Sequence, residues 1–246
     1  MQTIKSASGY LPTRRAFTLI DLLAVISAGV LILLALVPAL ARSRTAPLQV
    51  VCLSNLRHLM QGILMYATEN RDYLPYPNWG NGVKGWLYSP GLGSPPRNPS
   101  LSDYQKGQIW PYVAEMNTYR CPADISKYYI ARANQLSTYV MNGAVCGYGA
   151  LAPPRTWQLQ RFDERAFCLW EPDENLGNPP IGPFAYNDAS AFPDRNEGPG
   201  RKHPGGTPVG TFGGNARWLS MSAFRAEQLK ATQSLLWCNP ANANGR

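Results

Sequence analysis

The chain has 246 residues, of which 45% are apolar, enough for one globular core and a small appendage. Charged residues make up only 15%, and Gly and Pro contribute 22 each, which argues against an all-helical bundle and for a loop-rich fold with short strands. The aromatic content (11%) excludes disorder, and the net charge of +8 arises from scattered basic residues without a basic helix or zinc-finger spacing, so no nucleic-acid partner is expected.

The first sixteen residues carry Lys5, Arg14 and Arg15 and no acid. Three of the eight surplus charges therefore lie in what reads as a leader, 1–16, and belong to an address and not to a binding surface. From Ala16 to Ala41 the chain is almost wholly apolar except for Asp21. As a helix this run would span about 38 Å at 1.5 Å per residue, more than the ~30 Å of a bilayer's hydrocarbon. The length predicts a transmembrane helix over 17–41. An acid inside such a run costs on the order of 2.5–3.5 kcal/mol on insertion scales, so Asp21 calls for a reason.

The segment Arg14-Arg15-Ala16-Phe17-Thr18-Leu19-Ile20-Asp21-Leu22-Leu23 resembles the class III signal of type IV pilins and type II secretion pseudopilins. The resemblance implies that a prepilin peptidase cuts between Ala16 and Phe17 and methylates the new amine of Phe17. It also implies that Asp21 neutralises the N-terminal amine of a neighbouring subunit as helices pack into a filament. An amine and a carboxylate, each costly alone in an apolar medium, become tolerable as a pair. Pro38 falls where many pilins have a helix-kinking proline. The sequence departs from the family pattern twice, with Ala16 where Gly is usual and Asp21 where Glu is usual. A competing reading is an ordinary secretory signal ending at Ala39-Leu40-Ala41, but an Asp at the start of its apolar region is atypical.

Beyond Arg42 the apolar residues fall at Val51, Cys52, Leu56, Leu59, Met60, Ile63, Leu64 and Ala67, the spacing of an amphipathic helix over 42–70. Pro47 predicts a kink or break near its start, and His58 reads as an exposed helix residue. The segments Cys52-Leu53-Ser54-Asn55-Leu56-Arg57, Arg120-Cys121-Pro122-Ala123-Asp124 and Tyr139-Val140-Met141-Asn142 resemble motifs of pilin-like proteins abundant in Planctomycetes, Verrucomicrobia and their relatives. That group carries a His, nine residues and then Asp-Gly near the C-terminus. Here His203 is followed at that spacing by Gly213-Gly214, so the Asp is lost.

The remainder, 71–246, reads as an exported head. Residues 75–108 predict long loops, Ala166–Trp170 a buried strand, Thr138–Met141 another, and Gly213-Gly214-Asn215 the turn of a hairpin joining 209–212 to 216–219. Glu171, Asp173, Glu174, Asp188 and Asp194 offer oxygen atoms of the kind Ca²⁺ takes, but no EF-hand spacing organises them and they read as solvated loop acids, so no metal or other cofactor is expected. Five cysteines leave at least one unpaired thiol; Cys52–Cys121 and Cys121–Cys146 are both open pairings, and Cys168 reads as a buried free thiol. Neither His sits in a nucleophile context and no catalytic motif is present, so no enzyme is expected.

The sequence thus predicts an α+β, pilin-like fold. A long N-terminal transmembrane and amphipathic helix would pack on a loop-rich head with a short antiparallel sheet. The implied role is a structural subunit of a type IV pilus or type II secretion pseudopilus. Its partners would be prepilin peptidase, other pilin or pseudopilin subunits and the bacterial inner membrane, crossed once with the head in the periplasm. The alternative is a membrane-tethered or secreted binding module in which Trp79, Trp86 and Trp110 face a glycan or an exported substrate.

Overall fold

A computed structural model of the chain describes residues 19–80, 82–90, 100–124, 136–172, 188–194 and 198–246, with side chains of 19–80 described outside 35–47. The chain divides into two compact units, Met1–Arg44 and Thr45–Arg246. Helix α1, Leu19–Glu69, begins in the first and ends in the second, and both Pro38 and Pro47 lie within its bounds.

In the first unit the described side chains of 19–34 are exposed apart from half-buried Gly29, including Leu19, Ile20, Leu31 and Leu34. Asp21 lies in the first turn of α1, where a carboxylate is favoured by the helix dipole. The expectation of a transmembrane helix over 17–41 is overturned: among the described residues no helix is long and apolar enough to cross a membrane. The leader, Ala16 and Phe17 lie outside the described residues.

The second unit is built on a five-stranded sheet of order β3-β1-β2-β4-β5. Its strands are β1 Val140–Asn142, β2 Phe167–Trp170, β3 Ser190–Ala191, β4 Gly206–Thr211 and β5 Ala216–Ser220. The pairs β1–β2, β2–β4 and β4–β5 are antiparallel, whereas β1 and β3 are parallel. The sheet is therefore mixed, and the expected pilin-like α+β class, with a long transmembrane helix and a short antiparallel sheet, is corrected to mixed helix and strand content with no long apolar helix among the described residues. The parallel edge follows from connectivity: β3 returns beside β1 after a long crossover, which a hairpin cannot make.

Strand alternation, interrupted by a register shift between Phe167 and Leu169, divides the core. Met141 and Leu169 join Cys52, Leu56, Leu59, Met60 and Ile63 of α1 in one apolar cluster, together with the stacked pair Phe162 and Phe212 (4.1 Å). Val140, Phe167, Trp170 and Val209 join a second cluster with Leu236 and with Phe224 of α4, Met221–Gln228. The sheet is thus covered by the later half of α1 and by α4, and each fully buried Leu or Phe contributes roughly 1.5–3 kcal/mol. Helix α1 stops where Arg71 and Asp72 turn left-handed (φ 56° and 70°) and Asn70 Nδ2 donates to the Tyr66 carbonyl at 2.7 Å. The hairpin between β4 and β5 closes through Gly214 (φ 83°), whose N–H donates to the Thr211 carbonyl at 2.9 Å.

Candidate functional site

Four segments meet beneath the sheet. The first is α1, which carries Cys52 and, one turn on, Asn55. The second is the chain after the 3₁₀ turn Met116–Tyr119, where Cys121 sits. The third is Glu171, immediately after β2, and the fourth is His203, three residues before β4.

Each segment is held by hydrogen bonds. Asn55 Nδ2 donates to the carbonyls of Arg120 (2.8 Å) and Asn117 (3.3 Å), fixing the turn that bears Cys121 against α1. The Cys121 N–H donates to Thr138 Oγ1 at 2.6 Å, and the Thr138 N–H to the Tyr119 carbonyl at 3.0 Å. Gly200 N–H donates to the Glu171 carbonyl at 2.6 Å, and Pro172 bridges Pro199. Gly is required at 200 by closeness, since a Cβ there would lie 2.7 Å from the Pro172 carbonyl oxygen. Lys202, beside His203, places its Nζ 3.4 Å from Asp124 Oδ2 and donates to the Pro172 carbonyl at 2.9 Å. This ion pair is almost sealed from solvent and links the second, third and fourth segments.

At the centre Cys52 and Cys121 form a disulfide with a Cα–Cα distance of 5.2 Å. His203 Nε2 lies 3.1 Å from Cys121 Sγ and 3.5 Å from Glu171 Oε1. Trp218 meets the imidazole in a T-shaped contact, with ring centroids 5.5 Å apart. All four residues are buried, and one candidate ligand atom from each falls within 4.8 Å of the others. Among the described residues this is the group of Cys, His and acidic side chains close enough to share an ion. Nearby, burial pushes the Tyr139 phenol well above its ordinary range, with Glu171 and Asp124 adding to the shift, so it stays a neutral wall.

The sequence-predicted residues are distributed unevenly around this centre. Of the two open pairings, Cys121 is joined to Cys52, while Cys146 is a free buried thiol 3.4 Å from the Gly143 carbonyl oxygen. Burial raises the Cys146 thiol to about 11, which keeps it protonated and inert at neutral pH. Cys168 and Cys238 are also free and buried. The acids considered for Ca²⁺ are not brought together: Glu171 faces the cystine, whereas Asp188 accepts from Gly80 N–H (2.9 Å) and Ser190 N–H (3.1 Å). Asp173 and Glu174 lie outside the described residues. Asp21 and Pro38 lie in the part of α1 that belongs to the first unit, before Cys52.

The three tryptophans are engaged in packing. Trp86 is fully buried and donates to the Ala189 carbonyl at 3.3 Å, Trp110 stacks on Tyr119, and half-buried Trp79 meets Tyr148 edge-on. Sequence reasoning missed Glu171 and His203 as members of one site. The motifs around Cys52, Cys121 and His203 were visible singly, but no spacing rule joins residues so far apart. Compared with models of protein families, with curated proteins and with solved structures, the chain matches none of them.

Proposed function

We propose that the chain is a structural subunit of a type IV pilus or a type II secretion pseudopilus, processed between Ala16 and Phe17. The supporting observation is the first half of α1, where Leu19, Ile20, Leu23, Val25, Ile26 and Leu31–Leu34 are all exposed. A soluble monomer rarely leaves so continuous an apolar surface in water, and such a surface marks an interaction site. Exposed apolar side chains along a helix are suited to packing against other helices, and in a filament those are the α1 helices of neighbouring subunits. Asp21, in the first turn of this surface, would meet the new amine of a neighbour's Phe17. Prepilin peptidase is the processing partner, and the inner membrane is where the chain would be delivered.

The N-terminal residue of the protein purified from cells tests this reading. N-methyl-Phe17 is the expected result. A mature chain beginning at Arg42 is the product of an ordinary secretory cleavage and overturns it.

A further inference from the structure

A buried carboxylate is costly unless it is hydrogen-bonded or paired with positive charge. Glu171 is fully buried, and neither of its side-chain oxygens has a hydrogen-bond partner among the described residues. The nearby imidazole of His203, 3.5 Å away, is at ion-pair range and too far for a good hydrogen bond. The neutral cystine beside them supplies no positive charge. The carboxylate is thus aimed at two sulfurs and an imidazole nitrogen, with no complete set of partners of its own.

The same four groups form a ligand set once the sulfurs are thiolates. Two Cys, one His and one carboxylate are the donors of a borderline-soft, tetrahedral ion, and the sulfurs exclude Ca²⁺ and Mg²⁺. Bonds of about 2.0–2.3 Å to a tetrahedral Zn²⁺ put neighbouring ligand atoms about 3.3–3.8 Å apart. The observed 3.5 Å from His203 Nε2 to Glu171 Oε1 lies inside that range, the 3.1 Å from Cys121 Sγ to Nε2 falls just short of it, and the whole group fits within 4.8 Å. A cleft of about 390 Å³ lined by Asn55, Arg120, Cys121 and Asp124 reaches the cluster at Cys121.

We propose that reduction of the Cys52–Cys121 disulfide converts this cluster into a closed Zn²⁺ site made by Cys52, Cys121, Glu171 and His203. The disulfide and the metal are then mutually exclusive states of one pocket. A small dithiol supplies the reduction: two electrons and two protons pass to the protein sulfurs, and the dithiol leaves as its own cyclic disulfide. Zn²⁺ entering the reduced site displaces both thiol protons, and its fourth bond goes to a Glu171 oxygen. The inference is independent of filament assembly.

The test uses the purified full-length chain in detergent, without oxygen, and Co²⁺ alone as the first probe. Before reduction no Co²⁺ is bound. After reduction one equivalent binds, with tetrahedral d–d bands and thiolate-to-cobalt charge transfer, and Zn²⁺ displaces it. Glu171→Gln and His203→Ala retain the Cys52–Cys121 disulfide when oxidised, as read by mass spectrometry. When reduced, each binds Co²⁺ more weakly by more than the roughly 10–100-fold lost with an outer-shell partner. Failure of the reduced wild type to bind overturns the proposal. Equal binding by both variants also overturns it, because the ion then resides on Cys146, Cys168 or Cys238. So does a reduced chain that unfolds and is not refolded by Zn²⁺.

Discussion

The side-chain amide of Asn55 donates to the main-chain carbonyl of Arg120 at 2.8 Å, across a sequence gap that includes α2, Leu101–Gln105, and α3, Trp110–Val113. This bond sets Cys121 opposite Cys52. Asn55→Ala removes it together with the weaker bond to Asn117 and strands a part-buried carbonyl. The expected loss is about 1–3 kcal/mol in denaturant unfolding, with slower reoxidation of the Cys52–Cys121 pair after reduction. A variant with wild-type stability and reoxidation rate would show that the amide does not position the turn.

The disulfide itself closes a sequence separation of 69 residues. In the chain-entropy account a loop of that size is worth about 4 kcal/mol. The paired substitution Cys52→Ser with Cys121→Ser should lower the unfolding free energy by that order. An unchanged denaturation midpoint would contradict it.

Gly200 has no room for a side chain, because a Cβ would meet the carbonyl oxygens of Pro172 at 2.7 Å and Glu171 at 3.2 Å. Both obstacles are backbone and cannot rotate away. Gly200→Ala should therefore cost about 1–3 kcal/mol and loosen the strand end that carries Glu171. Hydrogen exchange of the Gly200 amide, which donates to Glu171, is the local reading; protection equal to wild type would refute the argument.

Arg165 donates to the Asp163 carboxylate through Nε (3.0 Å) and Nη2 (2.7 Å), and its own N–H adds a third bond at 2.8 Å. These bonds hold the Asp163 carboxyl down at about 2. A carboxyl lowered in the folded state contributes stability above its unfolded value and loses that contribution as pH falls through about 2. In Arg165→Ala the two guanidinium bonds are lost while the main-chain bond stays, so the midpoint followed by NMR should rise toward, without fully reaching, the ordinary carboxylate range. A wild-type midpoint already in that range would remove the pairing as its cause.

For the proposed filament, Asp21→Ala should leave the second unit folded yet be depleted from sheared filaments. Equal recovery of variant and wild type would count against a role for Asp21 in assembly.

Local patterns were legible where the physics is local. The apolar run Phe167–Trp170 became a fully buried strand, and Gly213-Gly214-Asn215 became a hairpin loop because glycine accepts the positive φ it needs. The parallel pairing of β3 with β1 left no trace, since a two-residue strand has no period and its partner is set by the crossover. The apolar segment at 17–41 suggested a membrane span from its composition and length, and among the described residues no helix sustains that reading. Glu171 looked like one acid of a polar loop. Its burial depends on β2 ending under Gly200 and on Lys202 reaching Asp124, contacts that only tertiary structure creates. Likewise the choice between Cys52 and Cys146 as partner of Cys121 rests on Asn55, whose role is invisible without the turn it grips.

The order of the four segments along the chain also imposes an order in time. Synthesis runs from the N-terminus, so both sulfurs leave the ribosome before the carboxylate of Glu171 and the imidazole of His203 exist. A truncated product ending at β2 could close the cystine and still lack half of the pocket. The disulfide needs only the first two segments and a metal site needs all four, so metal binding at this centre is a reaction of the finished molecule.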